Sequence, residues 1–129
     1  EWKRNGYCPS TQIGMMGGWL DAWGLHRTRS GIAPMAWSGM SMAIGSTMPG
    51  IASDEDVRSL RTLPVADADR MYLHLMIAHH RAGVEMAATA LKVGVRSPVD
   101  SFASSIVTSQ RAEIRTMTEM LRLRTSTPG

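Results

Sequence analysis

The amino-acid sequence predicts an all-α protein, an antiparallel helical bundle of three long helices and one short one. Three observations carry this class. Two stretches, about 67–93 and 97–124, place apolar residues at helical spacing between start and stop signals. Only Val95 and Arg96 lie fully between the Gly94 stop of the first and the Ser97 start of the second, and so short a connection folds consecutive helices into an antiparallel hairpin. The balance of 43% apolar and 19% charged residues over 129 positions fits one soluble globular domain, residues 1–129.

In chain order, the first helix is expected from about Pro9 to Trp23 with Gly24 ending it, so residues 9–24 form one long element. Residues 25–52 change composition. Gly, Ser and Pro alternate there with Met35, Met40, Met42, Met48 and Trp37, an ordered but irregular segment of a length that is uncommon in small domains. Ser53-Asp54-Glu55-Asp56 has the form of a capping box opening a short helix to about Arg61. After Leu63-Pro64 a helix starts at Asp67 or Asp69 and runs to Val93, with Gly94 as its stop. The last helix takes Ser97 as N-cap and Pro98 as its first residue, and reaches about Arg124 before Ser126-Thr127-Pro128-Gly129. Residues 53–124 are thus a His-His helical hairpin with a short lead-in helix.

An internal echo links the two ends. Residues 12–20 and 113–121 share the pattern Glu/Gln-Ile-x-x-Met-x-x-bulky-Leu at a constant offset. On that reading the first helix is the relic of a duplicated hairpin whose other helix is absent, and the chain supplies an incomplete four-helix bundle.

Composition narrows the function. There are 11 Met against 1 Phe and 2 Tyr, so thioethers replace aromatic bulk. Cys8, the single cysteine, excludes an intrachain disulfide framework and a Cys-only zinc site. No stretch approaches the roughly 20 apolar residues of a membrane span, and the first residues lack the apolar core of a signal peptide. The formal charge of +3 comes from scattered arginines rather than a basic stripe, which argues against nucleic acid as a partner.

The chemistry concentrates on the hairpin. Two neighbouring stripes of the first hairpin helix, Tyr72-Met76-His79-Gly83-Met86-Ala90 and Leu73-Ile77-His80-Val84-Ala87-Leu91, are both expected to face the core. They place His79 and His80 among methionines. Gly83 costs a helix interior about 1 kcal/mol relative to Ala, so its place at the centre of this face signals close approach by another group. The partner helix turns Val99, Phe102, Ala103, Ile106, Gln110, Glu113/Ile114, Met117 and Leu121 inward, with Met120 alongside. Gln110 and Glu113 interrupt an apolar face, and a buried carboxylate there needs His79 or His80 as its partner. His74 is expected in solvent. Hydrogen-bonded core histidines and gap-filling methionines account for the same residues without a ligand.

If a metal is held, soft thioethers with imidazole select copper, as Cu(I). The Glu-x-x-His motifs of a di-iron bundle are absent, as are His-Glu-x-x-His, Cys-x-x-Cys and a Gly-rich phosphate loop. No catalytic motif and no organic cofactor site is found, so the protein is read as a non-enzyme.

Several separated motifs occur together in one order. They are Met48-Pro49-Gly50-Ile51-Ala52-Ser53, Asp69-x-x-Tyr72-Leu73, Met76-Ile77-Ala78-His79-His80, Glu85-Met86-Ala87, and Gln110-x-x-Glu113-Ile114-x-x-Met117-x-x-Met120-Leu121. This set, over about residues 48–123, resembles the bacterial domain-of-unknown-function family 305. The resemblance implies a ferritin-like helical bundle, exported or anchored at the cell envelope, with some members binding copper through His and Met. Carried over by position, Met76, His79, His80, Met86, Gln110, Glu113, Met117 and Met120 match the family pattern, whereas His74 departs from it. Trp19-Leu20-Asp21-Ala22-Trp23 is similar to a first-half ending in duplicated members.

The expectation is therefore an extracytoplasmic Cu(I)-sequestering or Cu(I)-handing protein without turnover. His79, His80, Met76, Met86, Met117 and Met120 would be ligands, Gln110 and Glu113 would orient the imidazoles, and Met35, Met40, Met42 and Met48 would form a capture loop. The alternative is a structural or interaction module with a buried His/Glu network, whose open groove takes a helix from a second copy or another protein.

Overall fold

The computed structural model of the chain describes residues 9–28, 31–33, 35–40, 42–43 and 46–125. Over these it is helical, with no strand: α1 spans Pro9–Ala22, α2 Asp54–Leu60, α3 Val65–Val93 and α4 Val99–Thr125, and a single 3-10 turn covers Ala36–Ser38. Cys8 and the closing stretch 126–129 lie outside the described residues. The chain divides into two compact units, residues 1–46 and 47–129.

In the first unit α1 stops one residue before the expected Trp23, and Gly24 follows in the left-handed region at φ 66°. Arg27 then folds back on the helix. Its guanidinium pairs with Asp21 and lies over Gly17, where a Cβ would stand 2.9 Å from Cζ. The Arg27 hydrogen bond holds the Asp21 carboxyl below its ordinary range. The irregular segment contains a buried residue, Met35, at φ 59°, whose carbonyl accepts from the Ser38 hydroxyl at 2.6 Å.

The second unit is the hairpin of α3 and α4 with α2 packed on α3. The capping box forms as the sequence suggests. Ser53 Oγ accepts from the Asp56 N–H at 3.1 Å, and Asp56 Oδ2 accepts from the Ser53 N–H at 2.9 Å and its hydroxyl at 2.7 Å. Those bonds, the hydroxyl's first, hold Asp56 below the ordinary carboxylate range. A carboxylate depressed on folding stabilises above its unfolded pKa and loses that contribution as pH falls through the folded value. The α2 cap is therefore expected to be intact at neutral pH and to fray only in acid below the range of a free aspartate. Amide shifts of Ser53 and Asp56 followed by NMR check this, and Ser53→Ala should reduce the displacement, leaving the part held by the backbone N–H.

Two helix starts differ from expectation. α3 begins at Val65, because the Pro64 carbonyl already accepts from the N–H groups of Asp67 and Ala68, both at 2.9 Å. α4 begins at Val99, because the Arg96 carbonyl accepts from Val99 at 2.9 Å and Asp100 at 3.4 Å, leaving Ser97 and Pro98 in the turn rather than as cap and first residue. α3 ends at Val93 as expected, with Gly94 at φ 82° donating to Ala90 and Leu91 carbonyls.

The core of this unit is small: Leu73, Ile77 and Ala87 from α3, Phe102 and Ala103 from α4. The expectation that both α3 stripes face the core is corrected. The stripe with Leu73, Ile77 and Ala87 is buried, whereas Tyr72, His79 and Met86 of the other are exposed. A hairpin gives α3 one long partner, and one partner covers only about a 100° sector of a helix.

Candidate functional site

His80 sits on the seam between α3 and α4 with its side chain 11% exposed. Its Nδ1 lies 2.8 Å from the Met76 carbonyl one turn back, and its Nε2 lies 2.7 Å from Glu113 Oε2 across the seam. A carbonyl only accepts, so Nδ1 carries a hydrogen. The 2.7 Å contact with Glu113 needs one hydrogen between Nε2 and Oε2. Glu113 is 53% exposed, which corrects the expectation of a buried carboxylate: it reaches the ring from the rim of the seam. His79 is not the partner of Glu113. Its ring is exposed and meets that of His80 edge-on, centroids 6.1 Å apart.

Three cross-helix contacts fix the register. A Cβ on Gly83 would lie against the Gln110 carboxamide, with Cδ at 3.2 Å, so the absence of a side chain admits Gln110 to the α3 backbone. Three residues back along α3 and three forward along α4 stand His80 and Glu113. Eleven further on each helix, Asp69 accepts from Arg124 Nε at 3.3 Å. Steps along one helix match steps back along the other throughout. The same register sets Met76 opposite Met117, one turn beyond the His80–Glu113 pair, and both are half-buried.

Around this centre, Met86 and Met120 are exposed, while Gln110 is half-buried with its Oε1 buried and unpaired. His74 is exposed, as expected. Of the segment assigned to capture, Met40 is exposed, Met35 is buried, and Met42 and Met48 are half-buried, with Met48 falling in the second unit. Among the described residues no three His, Cys, Asp or Glu side chains converge. Donors beyond His80 and Glu113 at this seam are the thioethers of Met76 and Met117 and the Gln110 carboxamide oxygen, and the thioethers and imidazole suit a soft ion.

Sequence reasoning passed over Gly50. At φ 78°, a Cβ there would stand 2.6 Å from Ala82 Cβ, 2.8 Å from the Ala78 carbonyl and 3.2 Å from His79 Cα, so the turn rests directly on α3 beside His79. The Pro49-Gly50 dipeptide is the turn signal that marks it.

The family defined as Domain of unknown function (DUF305) matches residues 9–121. The chain belongs to the DUF305 family. Two solved DUF305 structures are similar to it. A candidate secreted protein from Streptomyces coelicolor shares 39% identity at a TM-score of 0.78, over 93% of this chain and 70% of the other. A DUF305 fragment from Deinococcus radiodurans shares 37% at a TM-score of 0.65, over 87% of this chain and 66% of the other. No curated protein matches this DUF305 chain. No described helix is long and apolar enough to cross a membrane.

Proposed function

We propose that this DUF305 protein binds Cu(I) at the α3–α4 seam and sequesters it or hands it on outside the cytoplasm, without turnover. The observation that carries the reading is the imidazole of His80 held in the seam one turn from the in-register, half-buried pair Met76 and Met117. Two thioethers and one imidazole form a soft donor set. His80 would bind through Nε2, since Nδ1 is tied to the Met76 carbonyl, and Glu113 would swing into solvent to release it. Glu113 is more than half exposed, so its carboxylate can turn outward and keep its contact with water. His79, Met86 and Met120, on the outer surface, would serve exchange, as would Met40, Met42, Met48 and Met35 if its cover opens. In the loaded protein the Met76 carbonyl on Nδ1 would orient the ring, with Gln110 beside it. The extracytoplasmic location is supported by the description of the Streptomyces relative as a candidate secreted protein.

The test is an anaerobic Cu(I) titration against a competing chelator, with helicity checked by circular dichroism. His79→Ala combined with His80→Ala should weaken binding by more than the roughly 10–100-fold typical of a residue that only orients a ligand. Met40→Leu with Met42→Leu should change it far less. Equal affinity in the double histidine variant would overturn the assignment.

A second reading has its own observation. Both ring nitrogens of His80 already face protein acceptors, which is also how a histidine pins two helices together without a metal. On that reading the methionines are packing and the exposed apolar surface serves association.

A further inference from the structure

Gln110 Oε1 is the single buried side-chain nitrogen or oxygen without a hydrogen-bond partner among the described residues. A carbonyl oxygen has lone pairs and no hydrogen to give, so what it lacks is a donor or a cation. The carboxamide lies on the bare backbone of Gly83, with Cδ 3.2 Å from where a Cβ would stand. Turning Oε1 away from Gly83 therefore breaks no hydrogen bond at that atom. Two further donors stand within one turn. Glu113 follows Gln110 by three positions, so the two side chains are neighbours on one face of α4. Across the seam His80, three positions before Gly83, brings Nε2 to 2.7 Å from Glu113 Oε2. The Met76 carbonyl at 2.8 Å ties Nδ1 and fixes the ring, leaving Nε2 as the nitrogen that points to α4.

We infer that the seam carries a second, harder ion site, made by His80 Nε2 with the oxygens of Glu113 and Gln110, for a divalent first-row ion of the zinc class. Imidazole suits such ions, and three protein ligands with water in the fourth position make an open zinc site. Glu113 is 53% exposed and leaves that fourth position to water. An ion about 2.0–2.1 Å from both Nε2 and Oε2 at a tetrahedral angle needs roughly 3.3 Å between them, so the pair opens by only a fraction of an ångström. The hydrogen now lying between Nε2 and Oε2 leaves to water as a proton, and the ion takes its place. Glu113 then sorts the ions: turned inward it completes the oxygen set, turned outward it frees Nε2 for the thioether side. The harder site uses neither Met76 nor Met117, and it does not rest on Cu(I) binding.

The test adds zinc chloride to the metal-free full chain carrying Cys8→Ser, followed by calorimetry and by proton–nitrogen correlation spectra of the four histidine rings. Zn(II) should shift His80 Nε2, keep the hydrogen on Nδ1, and release about one proton per ion bound. Glu113→Gln, an exposed change at the rim, and Gln110→Leu should each weaken binding by more than the roughly tenfold lost with a residue that only orients a ligand. Gln110→Glu, which restores an oxygen at that position, should not weaken it. Mg(II), which keeps its waters and prefers an octahedron of oxygens, should leave His80 unmoved. Met76→Leu with Met117→Leu should leave Zn(II) binding unchanged while removing the donors proposed for Cu(I). Zn(II) shifting His26, His74 or His79 with His80 unmoved overturns the inference, as does Gln110→Leu binding Zn(II) as tightly as the unaltered chain. Because the thioether variant separates the two ions, either site can fail without the other.

Discussion

Phe102→Ala is expected to lower the stability of the hairpin by about 3–5 kcal/mol, the usual cost of removing a buried aromatic from a core. Among the described residues from 47 on, Phe102 is the largest of five buried side chains, the others being Leu73, Ile77, Ala87 and Ala103. With so few neighbours, the space it leaves has little to collapse into. Total stabilities of small domains run about 5–15 kcal/mol, so the loss is a large fraction of what holds the unit together. At roughly 4–8 °C per kcal/mol for a domain of this size, the midpoint should fall by about 12–40 °C. Thermal and urea unfolding followed by helical circular dichroism measures it, and a drop under 1 kcal/mol would mean that Phe102 is not the centre of the core.

The second large effect is expected at Gly50. Gly50→Val meets two penalties. A β-branched residue at φ 78° costs about 1–3 kcal/mol in backbone strain, and its Cβ would press on Ala82 Cβ at 2.6 Å and the Ala78 carbonyl at 2.8 Å, an overpacking cost of about 1–3 kcal/mol. The cheapest response is for the turn to lift from α3 and carry the start of α2 with it. Amides of residues 50–56 should then lose their protection while those of the α3–α4 seam keep theirs. Gly31→Val is the control, since Gly31 has the same φ of 78° with nothing within 4 Å and isolates strain from crowding. If the two variants unfold alike, the close approach at Ala82 carries no energy.

Most of the helical framework is legible in the sequence because its signals are local. Ser53 with Asp56, Gly94 after Val93, and the two residues between Gly94 and Ser97 each speak through bonds or conformations within a few positions. The α4 start is misjudged by one residue because a Ser-Pro pair serves a turn as readily as a cap, and the competing Arg96 carbonyl decides between them. What periodicity cannot supply is the direction of the partner. Adjacent stripes on α3 are both apolar, and only the register with α4 buries Leu73 and Ile77 and leaves Tyr72 and Met86 outside. The pairing of Glu113 with one of the histidines follows from charge, but its choice of His80, and its place on the rim, follow from the same register. Gln110 over Gly83 is the one cross-helix contact whose signal, a glycine in mid-helix, is visible beforehand.

The ties between α3 and α4 differ along their length. Near the Gly94 turn they are the buried Ala87, Phe102 and Ala103; toward the free ends Leu73 and Ile77 are buried, and beyond them Arg124 pairs with Asp69 in contact with water. Chain connectivity closes the first end, and an exposed ion pair worth about 0–1 kcal/mol latches the second. Such a hairpin unzips from its free ends, with amide exchange fastest in the last turns of α4 and slowing toward Phe102. Partial opening uncovers the facing Met76 and Met117, and only afterwards strains the bond between His80 and Glu113. The facing thioethers thus stand between the fraying ends and the imidazole, beside the buried Leu73 and Ile77 that resist further opening.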